Sequence, residues 1–175
     1  MSLGGAASLS GLGMIRDARL GDIDELLDLE AQCFSSDRLT RRSFRHLLRT
    51  GHAATFVAVS QRSIQGYATL LFRKSSTVGR IYSFAVRPHH RGRGVAGNLM
   101  RLLEREARAH DCRRLVLEVR PGNRPARRFY DKFGFRCVAR KRGFYEDGAD
   151  ALRLDKQLAP GRARKRGRLR RRPSP

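Results

Sequence analysis

The sequence predicts one α/β domain whose elements follow in the order β-α-α-β-β-β-α-β-α-β-β. Three observations predict it. Apolar residues alternate over Thr55–Val59 and Ile64–Phe72, they recur at helical spacing over Val95–His110, and breaks rich in Gly, Pro or Asn separate the segments. The chain has 175 residues, the size of one ordinary domain, which buries roughly two thirds of the surface its unfolded chain exposes.

Met14-Ile15-Arg16 opens a short strand. Gly21-Asp22 then starts a helix, with Asp22 and Glu25 near capping-box spacing ahead of Leu26, Leu27 and Leu29. A second helix begins after Thr40, carries Phe44, Leu47 and Leu48 on one face, and ends at Gly51. Thr55–Val59 and Ile64–Phe72 form a hairpin around Gln61-Arg62-Ser63, so antiparallel pairing is expected. Arg80–Arg87 is a further strand that stops at Pro88, whose missing N–H ends the ladder. Val95–His110 is the longest helix, with Val95, Leu99, Leu102, Leu103 and Ala107 opposite Arg101, Glu104, Arg105 and Arg108. Leu115–Val119 is a strand, Asn123-Arg124-Pro125 caps a helix ending at Gly134, and 136–141 with 151–158 form a last hairpin.

The net charge is +22, from 38 Lys and Arg against 16 Asp and Glu. Eight of those cations lie in 161–175 without an acid or any apolar periodicity, so 160–175 reads as a disordered basic tail suited to an acidic or nucleic-acid partner. Without them the remainder still holds +14 and should attract a polyanionic ligand. Residues 1–13 read as a flexible start lacking secretory signal features, with Met14 an alternative initiator; the domain is expected over 14–159. No run approaches the 20 or so apolar residues of a membrane span. Cys33, Cys112 and Cys137 are odd in number and widely spaced, which reads as reduced thiols in a cytoplasm. The five histidines lack metal-ligand spacing, and no metal is expected.

The chemistry concentrates in Arg91-Gly92-Arg93-Gly94-Val95-Ala96. This loop joins a strand to the start of the longest helix, where backbone N–H groups and the helix dipole converge on a volume suited to phosphate. Its glycines admit an anion close to the backbone, and Arg91 and Arg93 add charge, so a pyrophosphate is the expected ligand. Gly92, Gly94 and Gly97 also satisfy G-x-G-x-x-G, the dinucleotide fingerprint. Pro88-His89-His90-Arg91 intervenes between strand and glycine, however, and too little chain remains for a doubly wound sheet with a substrate domain.

Arg91-Gly-Arg-Gly94-Val-Ala96 resembles the Q/R-x-x-G-x-G/A pyrophosphate loop of the general N-acetyltransferase (GNAT) family. Phe84-Ala-Val86-Arg-Pro88 is similar to that family's fourth strand, and Asn123-x-x-Ala126-x-x-Phe129-Tyr130-x-x-Phe133-Gly134-Phe135 resembles its second signature. Leu117-Glu118-Val119-Arg120 is similar to the strand carrying the base in the ribosomal-protein alanine N-acetyltransferase branch. The resemblance spans about Ile15 to Leu158. It implies the GNAT fold, α/β (α+β), with a mixed, mostly antiparallel sheet of about seven strands flanked by about four helices. It further implies acetyl-CoA as co-substrate, with pyrophosphate on Arg91, Gly92, Arg93, Gly94, Val95 and Ala96, pantetheine along Phe84, Ala85 and Val86, and Asn123 bonding the pantetheine arm.

On that resemblance Glu118 is the candidate base. A protonated amine has no lone pair, so a base must take its proton before the nitrogen attacks. Tyr130 is the candidate acid, able to protonate the departing thiolate. The acceptor is a primary amine, with a protein or peptide N-terminal α-amine ahead of a small molecule or a lysine. Plainer readings stand beside these. Glu118 suits a solvated strand face paired to a surface arginine, Tyr130 packs as a half-buried helix aromatic, Asn123 serves as an N-cap, and Arg91 and Arg93 are surface charge. The loop 144–148 reads as an Asp-Gly turn that borders the acceptor in similar enzymes. A competing function is an RNA- or ribosome-associated module using the basic tail, although the sequence carries no RNA-recognition motif or aromatic stacking platform.

Overall fold

A computed structural model describes residues 13–159. The expected flexible start and basic tail lie outside the described residues, Gly13 excepted. Seven strands form one sheet, in the order β1-β2-β3-β4-β5-β7-β6. They are β1 (Met14–Asp17), β2 (Ala53–Ser60), β3 (Ser63–Leu71), β4 (Val78–Val86), β5 (Arg114–Val119), β6 (Arg136–Lys141) and β7 (Ala151–Gln157). The helices are α1 (Ile23–Cys33), α2 (Arg41–Arg49), α3 (Val95–Ala109) and α4 (Arg124–Lys132). Every strand pair is antiparallel except β4 with β5.

Strand alternation splits the core in two, because successive side chains point to opposite faces. On β2, Val57 joins Leu26 and Leu29 of α1, Phe44 of α2 and Tyr67 of β3. Its neighbours Phe56 and Ala58 join the opposite core of Leu99, Met100, Leu103, Leu115, Leu117 and Phe135. Leu99 and Leu103 of α3 have no solvent exposure, so truncating either to Ala costs about 2–5 kcal/mol. The β2–β3 hairpin turns on Gln61 and Arg62, both with positive φ (49° and 64°). A two-residue hairpin loop demands that twist, here from residues that adopt it at a cost.

The helix-start expectations divide. Thr40 caps α2 by accepting from the Ser43 N–H at 3.1 Å, and Asn123 caps α4 by accepting from Ala126 at 3.2 Å. The Asp22/Glu25 box does not form on α1. The chain first makes a 3-10 turn over Leu20–Asp22, and the Asp22 carboxylate reaches back to the Arg19 N–H at 2.7 Å and to Arg16 at 2.7 Å. Glu25 turns to β3, accepting from Ser63 at 3.1 Å and from the Ile64 N–H. Gly51 directly follows Thr50, the C-cap of α2, as expected, but it adopts no left-handed backbone, because Thr50 is already extended (φ −81°, ψ 140°).

Candidate active site

Among the described residues, the one parallel pairing in the sheet opens a gap. β4 pairs with β5 through Val78, Gly79 and Arg80 opposite Arg114, Leu115 and Val116, and the ladder then stops. Among the described residues, β4 from Ile81 onward has no strand partner on that edge. A register shift in the β3–β4 ladder sets Leu70 opposite Ile81 and Thr69 opposite Ser83, leaving Tyr82 between them as a bulge. A bulge strengthens the local twist, which helps turn β4 away from β5. Phe84 packs against Phe129 and Tyr130 at 5.6 and 6.3 Å between ring centres, placing an aromatic cluster of α4 beside the gap.

The glycine loop closes the end of this gap. Gly92 (φ 75°) and Gly94 (φ 82°) both adopt left-handed backbone, and Gly94 is the N-cap of α3. No side chain caps that terminus, so its first N–H groups remain available to an anion. Arg91, Gly92 and Arg93 are exposed, Ala96 is half-buried, and Val95 is buried. Arg91 folds back so that its Nε donates to the Val86 carbonyl at 3.2 Å, which the Cys33 thiol also approaches at 3.4 Å. Ala85 and Val86 are buried in opposite cores, so β4 offers a ligand its backbone there rather than those side chains. Asn123 is engaged through Oδ1 as the α4 cap, which leaves its amide nitrogen to donate. An unpaired strand edge leading to bare helix N–H groups beside two exposed arginines suits a long, phosphate-bearing ligand.

Glu118 projects from β5 beyond the point where the strands part, yet its side chain is only 4% exposed, so it does not lie on a solvated face. Three cations surround it. Arg80 of β4 donates through Nε at 3.0 Å, Lys141 of β6 donates at 2.6 Å, and Arg153 lies 3.8 Å away. Arg153 is the cross-strand neighbour of Glu118 on β7. Burial pushes the carboxyl pKa up, but the Lys141 hydrogen bond with the charges of Arg80 and Lys141 outweighs it and holds Glu118 below the ordinary carboxylate value. Glu118 is therefore ionised at neutral pH. Tyr130 is buried among Phe84, Phe129 and Phe135. Burial and then nearby Tyr145 raise its pKa, so it is a neutral phenol carrying its proton. Burial raises the Tyr145 pKa, against the opposing charge of Arg120, which lies 4.0 Å from its ring centre.

Residues 23–135 match the model described as the acetyltransferase (GNAT) family. The chain belongs to the GNAT acetyltransferase family. It is 34% identical over 140 residues to a putative [ribosomal protein bS18]-alanine N-acetyltransferase of Bacillus subtilis, covering 79% of this chain and 91% of that protein. It is 28% identical over 159 residues to an N-alpha-acetyltransferase of Saccharolobus solfataricus, covering 82% and 92%. The fold is shared with the ribosomal-protein-S18-alanine N-acetyltransferase of Escherichia coli, at a TM-score of 0.74 and 19% identity over 84% of this chain and 94% of that one. This GNAT chain is an acetyl-transferring enzyme, and acetyl-CoA is the family's co-substrate.

Sequence reasoning missed the partners of Glu118. Arg80 comes from β4 on one side of β5, Arg153 and Lys141 from β7 and β6 on the other, and only the sheet order gathers them. No spacing in the chain signals that. Among the described residues no group of three His, Cys, Asp or Glu could hold a metal ion, and no helix is long and apolar enough to cross a membrane.

Proposed function

We propose that this enzyme acetylates the N-terminal α-amine of a protein or peptide, with Glu118 as base and Tyr130 as acid. The observation that carries this reading is the ionised Glu118 walled by Arg80, Lys141 and Arg153 beside the gap between β4 and β5. The names of the relatives support the same acceptor class.

Bound along β4 and the glycine loop, acetyl-CoA supplies the thioester carbonyl that the amine attacks. The backbone of Phe84, Ala85 and Val86 pairs its pantetheine arm, Asn123 donates to that arm, and Arg91, Gly92, Arg93, Gly94, Val95 and Ala96 hold the pyrophosphate. Glu118 accepts a proton from the incoming ammonium, directly or through water. Tyr130 retains its proton until the sulfur departs, then donates it, and regains a proton as the nitrogen loses its second one to form the amide.

The cationic wall discriminates between amines. It disfavours a protonated acceptor, and the lowered basicity of Glu118 limits the ammonium it can deprotonate. An α-ammonium has a pKa near 7.7–8.0 and a lysine ammonium near 10.4, a difference of roughly 2.5 units or about 3.5 kcal/mol in proton affinity. The α-amine is thus the easier acceptor. The three free thiols among the described residues support a reducing compartment such as the cytoplasm. The charge of residues 160–175 suits an acidic partner, such as RNA, that holds the enzyme near its acceptor.

The test offers a peptide bearing both a free α-amine and an internal lysine, and locates the product acetyl group by fragment mass spectrometry. Acetylation of the α-amine is expected; exclusive acetylation of the lysine overturns the reading.

A further inference from the structure

Three segments distant in sequence meet at Arg120, the residue that follows β5. Its Nη1 donates to Asp147 at 2.9 Å in the β6–β7 connection. Its Nη2 donates to Asp37 at 2.6 Å and Ser36 at 2.9 Å in the α1–α2 connection. The guanidinium also lies 4.0 Å from the centre of the Tyr145 ring. Asp37 uses its other oxygen to accept the Glu146 N–H at 2.9 Å, so the two connections are tied directly as well as through Arg120.

The backbone records the same constraint. Asp37 sits at φ 53°, a left-handed conformation that non-glycine residues keep only when neighbouring contacts fix it. The Phe144 ring packs on Tyr145 at 5.1 Å between ring centres and lies 5.0 Å from the Lys141 ammonium that bonds Glu118, so whatever positions this loop also shapes the approach to Glu118. An isolated exposed ion pair contributes little to stability. Here one planar fork serves two carboxylates and a hydroxyl while stacking on a ring, a combination that lysine's point charge cannot reproduce.

We infer that Arg120 is a positioning residue that assembles the acceptor mouth by clamping the α1–α2 and β6–β7 connections across the opening beside Glu118. The inference rests on the reading of Glu118 and Tyr130 as the reaction centre. Arg120 touches no reacting atom. It acts on acceptor binding and leaves the acetyl-CoA cradle on β4 and α3 intact.

The test compares the full chain with Arg120→Ala, Arg120→Lys and Asp147→Asn, the last being a milder change at a half-exposed end of the clamp. Amide hydrogen exchange is followed over 35–38 and 144–149, alongside KM for the accepted peptide and for acetyl-CoA. Arg120→Ala is expected to speed exchange in both segments together, by about tenfold or more, and to raise the peptide KM about tenfold with acetyl-CoA KM within about twofold. Arg120→Lys recovers only part of both effects. Asp147→Asn speeds exchange over 144–149 more than over 35–38. Unchanged exchange in either segment of Arg120→Ala, full rescue by lysine, or an equal rise in both KM values overturns the inference. If no peptide is acetylated by the parent enzyme, the proposed function fails by itself, and hydrogen exchange alone decides the clamp.

Discussion

The Glu118 carboxylate accepts a 2.6 Å hydrogen bond from Lys141, a contact made across β7, because β5 and β6 are not neighbours in the sheet. The late hairpin thus delivers a cation to the residue proposed as base. Lys141→Met removes the strongest of the influences holding the Glu118 pKa down. The carboxyl then shifts upward, and a carboxylate limb enters the acid side of the kcat/KM profile. A carboxyl depressed in the folded state stabilises the fold above its unfolded value, near 4.5, and that contribution is lost as pH falls through the folded value. The variant should therefore lose about 1–2 kcal/mol at pH 7, read by urea titration, and progressively less as the pH falls through the folded value of Glu118.

A second buried carboxylate ties α1 to the sheet. Glu30 accepts from the Tyr67 hydroxyl at 2.5 Å and from the Leu39 N–H at 2.6 Å, joining α1, β3 and the segment before α2. Glu30→Ala strands both donors and should cost about 2–3 kcal/mol, whereas Glu30→Gln keeps an acceptor and should cost less than about 1 kcal/mol. Burial raises the Glu30 pKa. Protonation therefore favours the folded state, and this contribution is present below the unfolded value and lost as pH rises through the folded one. Glu30→Gln should abolish that part of the pH dependence in thermal melts.

At the glycine loop, Gly94→Ala forces a Cβ into left-handed backbone at the N-cap of α3. The expected cost is about 1–2 kcal/mol, with a loss of acetyl-CoA affinity measured by calorimetric titration. Gly92→Ala meets no atom within 4 Å but shares the positive φ, so strain rather than collision should produce a similar, smaller loss.

The thiols make an independent check on packing. Burial raises the Cys33 and Cys112 pKa values, whereas Cys137 lies exposed on β6. Alkylation of the native protein at pH 7.5 should modify Cys137 first, and peptide mapping identifies the modified residue.

Most of the fold was legible because its signals are local. The α3 stripe from Val95 to Ala107, the Thr40 and Asn123 caps, and the stop at Pro88 each depend on residues a few positions apart. The glycine loop was legible for the same reason. The α1 start was misread because Asp22 answers to Arg16 and Arg19, and Glu25 to a strand about forty residues onward. The Glu118 cage and the Arg120 clamp were hidden for a related reason. They are assembled by sheet order and loop docking, which leave no periodic trace in the chain.

The most direct test of the central claim is the release of coenzyme A thiol with an α-amine peptide at saturating acetyl-CoA, in the native enzyme and in Glu118→Gln. A general base contributes about 10²–10⁴-fold, so kcat should fall by at least about a hundredfold, with acetyl-CoA affinity unchanged. Native turnover by Glu118→Gln across the pH range would contradict the assignment of Glu118 as the base.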